Sequence, residues 1–355
     1  MTRVLTLVLA LALPAGLSAQ RSGGDATIYF GTYAGTIRVL DESTLTMTDE
    51  IPLEIGIPLR LMVSQDRKRF YAMDAHFEKI EIIDIEQRRS MGSFALSEGN
   101  TTVRIWGMVV DPRERFAVML VKTYTKLTDR YEIGGPHLLR YDLERRAVTD
   151  TIPWPEGEER DNARMLFSPD GELLYFFSDD ILIFETAGFT EVDRWELSEP
   201  LEGGMGRFNF GFPTNIYEEP GYYTGLFRVT DPVQNRRMMG IARVNLAERD
   251  VDFTTLGPSE SVSFSLAPDR RKAYGLHQEI GKYEFWTFDV EGGRVESKTE
   301  FRGRPRMGLM PSSNGELLYI YNAGQTIDVY EAATYQHLRT VELGADMTAF
   351  LMLPN

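Results

Sequence analysis

Seven times along this chain an apolar, alternating segment ends in an acidic or amide residue, and a tight polar turn follows. The endings are Asp41 (TIRVLDEST), Asp84 (KIEIIDIEQ), Asp142 (HLLRYDLER), Glu185 (ILIFETAGF), Asn245 (IARVNLAER), Asp289 (EFWTFDVEG) and Glu331 (TIDVYEAAT). The intervals between them are 43, 58, 43, 60, 44 and 42 residues. Strand-like alternation with a period of about 40–45 residues marks the four-stranded blades of a β-propeller, and seven copies predict seven blades. The third and fifth copies carry extra chain. The repeat runs from end to end, so residues 20–355 are expected to form one large all-β domain rather than two smaller ones.

Each copy reads as strand A, a turn, strand B, a loop, strand C, a turn and strand D. The A–B turn recurs as SQDRKRFYAM from Ser64, DPRERFAVML from Asp111, FSPDGELLYFF from Phe167, LAPDRRKAYGL from Leu266 and PSSNGELLYIY from Pro311. Asp, Asn and Gly in these turns supply side-chain bonds and positive φ angles. The residue ending strand C has a similar role. Its carboxylate or amide accepts hydrogen bonds from the next turn's backbone N–H groups, so these seven side chains are turn formers rather than metal ligands.

The chain opens with three strands of blade one: ATIYFGTY, GTIRVLD and a segment through Ile51. It closes with MTAFLMLP, which resembles the strand A segments PLRLMVS, ARMLFS and RMGLMPS. The closing strand is therefore expected to complete blade one from the inside, sealing the ring and removing sheet edges.

Residues 1–19 read as a secretory signal peptide, with MTR, then the uncharged apolar run VLTLVLALALPAGL, then SAQ. Gln20 stands where a lipoprotein would carry Cys, and no later run is long enough for a membrane helix. A soluble periplasmic or secreted protein without a membrane anchor is expected. The chain has no cysteine, which excludes a thiol nucleophile, a CxxCH haem attachment and a cysteine-linked quinone. A net charge of −15 argues against nucleic acid as a partner.

The two long insertions, Val121–Pro136 and Phe227–Gly240, fall between strands B and C, hence on one face of the ring. Long excursions from a rigid repeat commonly carry binding. Arginines recur at the entrance to strand A: Arg60, Arg104, Arg164, Arg207 and Arg306. Several guanidinium groups near one mouth would suit an anionic ligand, or each would pair with the neighbouring blade. Of the four histidines, His76 and His137 lie in adjacent blades with Asp74 and Glu78 close by, a weak acid–base or binding pair. His277 is several blades away, and His337 precedes a strand D. No metal-ligand spacing and no catalytic motif is matched, so neither a metal site nor a catalytic residue is assigned. GGMG at Gly203–Gly206 is read as a connector between blades.

The repeat SPDGELLYFFSDDILIFE resembles YVTN-type propellers, in which PDG precedes a Tyr-bearing strand and then a strand ending in an acidic residue. More closely, residues 26–354 resemble the β subunit of quinohaemoprotein amine dehydrogenase. The shared landmarks are the blade-three excursion ending HLLRYDLERRAV, the short blade-four hairpin SDDILIFE, the blade-five TDP followed by GIARVNL, and the closing strand. The resemblance implies a cofactor-free seven-bladed subunit packed against a small quinone-bearing subunit and a dihaem cytochrome c, in a periplasmic complex that oxidises primary amines. It carries over no catalytic residue. The alternatives are a stand-alone propeller enzyme of the lactonase type and an orphan partner-binding propeller.

Overall fold

The computed structural model describes residues 22–178, 180–197, 208–211, 215–321 and 324–355. The signal-peptide reading at 1–19, the GGMG run and Arg207 lie outside the described residues.

Blade one contributes β1 (Thr27–Thr32), β2 (Thr36–Asp41) and β3 (Thr46–Pro52). Blade two is β4 (Pro58–Val63), β5 (Arg69–Asp74), β6 (Lys79–Asp84) and β7 (Arg89–Ala95). Blade three is β8 (Thr101–Val110), β9 (Phe116–Lys126), β10 (Tyr131–Asp142) and β11 (Ala147–Ile152). Blade four is β12 (Arg164–Phe167), β13 (Leu173–Phe177), β14 (Ile181–Glu185) and β15 (Glu191–Trp195). Blade five is β16 (Phe208–Phe210), β17 (Tyr222–Asp231), β18 (Arg236–Asn245) and β19 (Asp250–Pro258). Blade six is β20 (Ser265–Leu266), β21 (Lys272–Glu279), β22 (Lys282–Asp289) and β23 (Arg294–Glu300). Blade seven is β24 (Gly308–Pro311), β25 (Leu317–Tyr321), β26 (Thr326–Glu331) and β27 (His337–Glu342). The last strand, β28 (Met347–Leu353), pairs with β1, giving blade one the order β28-β1-β2-β3. The seven blades and the expected closure are both present.

Register explains why the acidic position repeats. In every blade the first residue of strand B faces it: Thr27 and Asp41, Arg69 and Asp84, Phe116 and Asp142, Leu173 and Glu185, Tyr222 and Asn245, Lys272 and Asp289, Leu317 and Glu331. From there its side chain accepts from the C–D turn. Thr44 donates its N–H to Asp41 at 2.9 Å, Gln87 to Asp84 at 2.7 Å, Arg145 to Asp142 at 2.7 Å and Gly292 to Asp289 at 2.8 Å. Glu331 instead accepts from the Thr334 hydroxyl.

Alternation sends successive side chains to opposite neighbours. On β5, Phe70 and Ala72 pack toward blade one, while Tyr71 and Met73 pack toward blade three. The core is accordingly divided into seven clusters, one at each blade interface. The cluster closing the ring joins Leu317, Tyr319, Ile327 and Val329 of blade seven to Ile28, Phe30, Met347 and Met352 of blade one. A fully buried carboxylate reinforces that junction. Glu42 accepts from the Ala26 N–H at 3.0 Å, the Ser313 N–H at 2.9 Å and the Tyr319 hydroxyl at 3.1 Å.

The extra chain is not spent as expected. The blade-three insertion is strand rather than loop: β9 and β10 stay paired from Gly134–Thr123 out to Tyr131–Lys126, and β8 follows alongside to Thr101 opposite Thr125. Backbone groups that a loop would leave to water are satisfied inside the ladder. In blade five, β17 and β18 pair out to Asp231 and Arg236. Part of that blade's extra length lies elsewhere, in its A–B connection, so the assignment of all of it to the B–C side is corrected. Residues 215–221 reach across the ring: Tyr217 packs into the blade seven–one cluster and donates its hydroxyl proton to the Pro311 carbonyl at 3.0 Å. Arg67 of blade two donates to the Ile216 carbonyl at 3.2 Å, and Arg270 of blade six meets Glu219 at 2.7 Å. This segment lies over the A–B end of the central channel.

A candidate docking face

Strand A enters each blade at the same end at which the B–C hairpin turns, so these features share one face. The A strands of neighbouring blades touch (β28 on β4, β8 on β12, β20 on β24), which places their first residues around the channel mouth.

Register puts Arg60 opposite Met73 and Arg164 opposite Phe177, the same rung of their blades. Arg104 lies two rungs further out, opposite Lys122, the bulge at Trp106 bringing it one rung nearer than a regular ladder would. The three reach across blade interfaces. Arg60 donates to the Trp106 carbonyl at 3.3 Å and lies over the Phe77 ring at 5.2 Å. Arg104 faces Glu78 at 3.9 Å and covers the Tyr124 ring at 5.1 Å. Arg164 donates to the Asn209 side chain at 3.0 Å. Arg306 sits in an exposed turn before β24, with φ of 63°, while nearby Arg304 holds Asp328 at 3.2 Å and Thr326 at 2.7 Å.

Arg164 also lines a cleft of about 200 Å³ with Arg160, Asn162, Ser178 and Asn209. Burial holds its guanidinium pKa below the ordinary value; Arg228 adds to this and Tyr223 opposes it. Arg160 there is held by Glu156 at 3.5 Å, Glu158 at 3.6 Å and the Ser178 hydroxyl, so the charge of this cleft is already partly matched. A larger cleft, about 620 Å³, lies at the opposite end between blades six and seven. Its polar groups are already matched, with Lys272 on Glu296 at 3.0 Å and the Tyr335 hydroxyl on Thr287 and Ser297.

His76 is highly exposed, with Nδ1 3.4 Å from Asp74. That aspartate is committed to the B–C turn of blade two, accepting from the N–H groups of His76, Glu78 and Lys79. His137 is on β10 opposite Val121, and His337 begins β27 at the outer rim. Among the described residues, three potential metal-ligand atoms come within 4.8 Å of one another at Glu260, His277 and Glu279.

What repeat reading did not reveal is where apolar surface is left uncovered. Of the large apolar side chains exposed among the described residues, Tyr33, Leu59, Trp106, Tyr131, Ile133, Val233 and Ile280 all lie on the B–C face. Met47, Met91, Val148, Val192 and Leu338 are on the outer D strands. Ile133 is 68% exposed, Val233 is 84% exposed and Ile280 is fully exposed, each at or near a hairpin tip. At the blade two–three edge Trp106 stacks on Phe77, 5.2 Å between centroids, with Arg60 beyond it. A cluster of Trp, Tyr and Arg beside exposed aliphatics is the composition of energetically dominant interface residues. Sequence could have flagged Tyr131, Ile133 and Val233 as apolar residues inside polar insertions, and Ile280 as one in a polar turn.

Among the described residues no helix is long and apolar enough to cross a membrane. No protein-family model matches the chain, and no curated protein matches it by sequence. Among solved structures it is similar to apo AztD from Citrobacter koseri, at 13% identity over 93% of this chain and 98% of that one, with a TM-score of 0.57. It is also similar to the dihydro-heme d1 dehydrogenase NirN in complex with DHE, at 10% identity over 96% and 77%, with a TM-score of 0.55. Kuenenia stuttgartiensis hydrazine synthase follows at 11% over 94% and 100%, with a TM-score of 0.52. At such identities the likeness shows the fold: the chain is a seven-bladed β-propeller.

Proposed function

We propose that this chain is an exported, partner-binding propeller without a redox centre of its own. In this reading it serves as the scaffold subunit of a periplasmic amine-oxidising complex and presents its B–C face to a small quinone-bearing subunit and a dihaem cytochrome c. The observation that carries the docking role is the concentration of exposed apolar side chains on that face, on hairpins held rigid by paired strands. The ladder fixes Tyr131 and Ile133, and the stack on Phe77 holds the bulged Trp106, before any partner arrives, which lowers the ordering cost of association. The 215–221 segment over the opposite end of the channel also favours the B–C end as the approach. Membership of an amine dehydrogenase complex rests on the sequence landmarks shared with the β subunit of that family.

The test is purification of the tagged chain from the organism that makes it, grown on a primary amine. The purified material should carry c-type haem absorbance, quinone-dependent redox staining and amine-dependent dye reduction. Trp106→Ala combined with Ile133→Asp should remove all three while leaving the thermal unfolding of the chain unchanged. A chain that purifies without haem or quinone and hydrolyses lactones by itself would establish the enzyme alternative instead.

A further inference from the structure

On blade six, His277 of β21 sits 97% buried against the indole of Trp286, with ring centroids 6.0 Å apart. Its Nδ1 is buried without a hydrogen-bond partner, and its Nε2 faces Glu279 Oε1 at 3.7 Å. Glu260 approaches from the connector between β19 and β20, which bridges to the same hairpin through Val262 and His277. One ligand atom from each of Glu260, His277 and Glu279 lies within 4.8 Å of the other two.

A buried imidazole is costly unless something engages its nitrogens, and Glu279 stands beyond hydrogen-bond distance of Nε2. Glu284, directly opposite His277 in the ladder, does not do so. Its oxygens are taken by the Lys282 ammonium at 3.0 Å and the Trp286 indole N–H at 3.1 Å. Glu284 thus keeps Lys282 engaged, leaving Glu260 and Glu279 facing the imidazole.

We infer that Glu260, His277 and Glu279 form a binding site for a divalent transition-metal ion of the zinc class, one nitrogen and two carboxylate oxygens, with the remaining position open to water. Metal–ligand bonds of about 2.0–2.2 Å put two ligands of one tetrahedral ion about 3.4 Å apart. The His277–Glu279 separation is close to that, and the exposed Glu279 is free to close the remainder. One imidazole with carboxylates suits zinc or manganese rather than a soft thiolate-seeking metal. The ion would fasten the blade five–six connector to the blade-six hairpin on the B–C face. This site goes beyond the scaffold reading and stands whether or not the chain joins a redox complex.

The experiment uses the mature chain after chelator treatment, with Zn²⁺ as the probe in equilibrium dialysis and Co²⁺ as the spectroscopic probe. One Zn²⁺ should bind per chain, with Co²⁺ giving the visible bands of a nitrogen- and oxygen-ligated ion. Glu260→Gln and Glu279→Gln should each weaken Zn²⁺ binding at least tenfold with the metal-free melting temperature unchanged. His277→Ala should abolish binding; if it unfolds the protein, the two glutamine variants still decide the matter. Binding that both glutamine variants retain at full affinity, or no saturable binding by the wild-type chain, would overturn the site.

Discussion

At the residue scale, the seven acidic or amide positions were legible because one physical requirement, a carboxylate or amide over a tight turn, recurs at one register in every blade. Asp170 of the A–B turn works likewise: the Ser168 hydroxyl and the Glu172 N–H hold its carboxyl below the ordinary value. In Asp41 the Ser43 hydroxyl and Thr44 N–H do the same, and in Glu185 the N–H groups of Gly188 and Thr190. A folded-state pKa below the unfolded one means that the unfolded chain binds more protons as pH falls. The stabilisation is therefore present above an unfolded carboxylate pKa of about 4 and lost below it. Melting temperatures should be level between about pH 5 and 7 and lower at pH 3; a higher value at pH 3 would contradict this. Glu42 gave no sequence signal, since it sits one residue past a repeat position and its partners Ser313 and Tyr319 are at the far end of the chain. Glu42→Ala leaves the buried Ala26 N–H and Tyr319 hydroxyl and the half-buried Ser313 donors unmatched and should lower unfolding stability in urea by about 3 kcal/mol or more. The histidines were misleading in the opposite sense. His277 looked isolated by chain position, yet the connector carrying Glu260 folds back beside it.

At the element scale, repeat length showed that blades three and five carry extra chain but not the form it takes. VKTYTK and YEIGGPH lack the strong apolar alternation of the core strands, because most of the extended ladder is only half-buried and polar residues suffice there. The segment 215–221 was illegible for a different reason: its partners belong to blades one, two, six and seven, and nothing local encodes a crossing of the ring. Its anchor is testable. Tyr217 is buried and hydrogen-bonded despite lying in a loop, so Tyr217→Ala should cost about 3–4 kcal/mol in chemical unfolding; a loss below about 1 kcal/mol would mean that the segment does not hold the ring. The closing strand makes a sharper case. Deleting residues 347–355 removes β28, uncovers the inner edge of β1 and takes Met347 and Met352 from the closing cluster. The truncated chain should be insoluble or lack a cooperative unfolding transition; a soluble, cooperatively folding product would contradict closure through β28.

At the scale of the whole molecule, the seven interface clusters make a rigid ring whose two ends differ. The A–B end is crossed by residues 215–221, and the B–C end carries the long paired hairpins, the strand A arginines and, among the described residues, seven exposed apolar side chains. Fold class and closure could be read from the repeat because each blade solves the same packing problem. The docking face could not be read with equal detail, because exposure depends on where the ring leaves a side chain uncovered, as at the bulged Trp106. Amide hydrogen exchange on the chain alone and on the complex with the haem- and quinone-bearing partners proposed above compares the two ends directly. Slowed exchange across Val121–Pro136 and Phe227–Gly240, with the Pro169–Gly171 turn unchanged, is the predicted result. Protection confined to the A–B turns and residues 215–221, with both hairpins exchanging as in the free chain, would contradict docking through the B–C face.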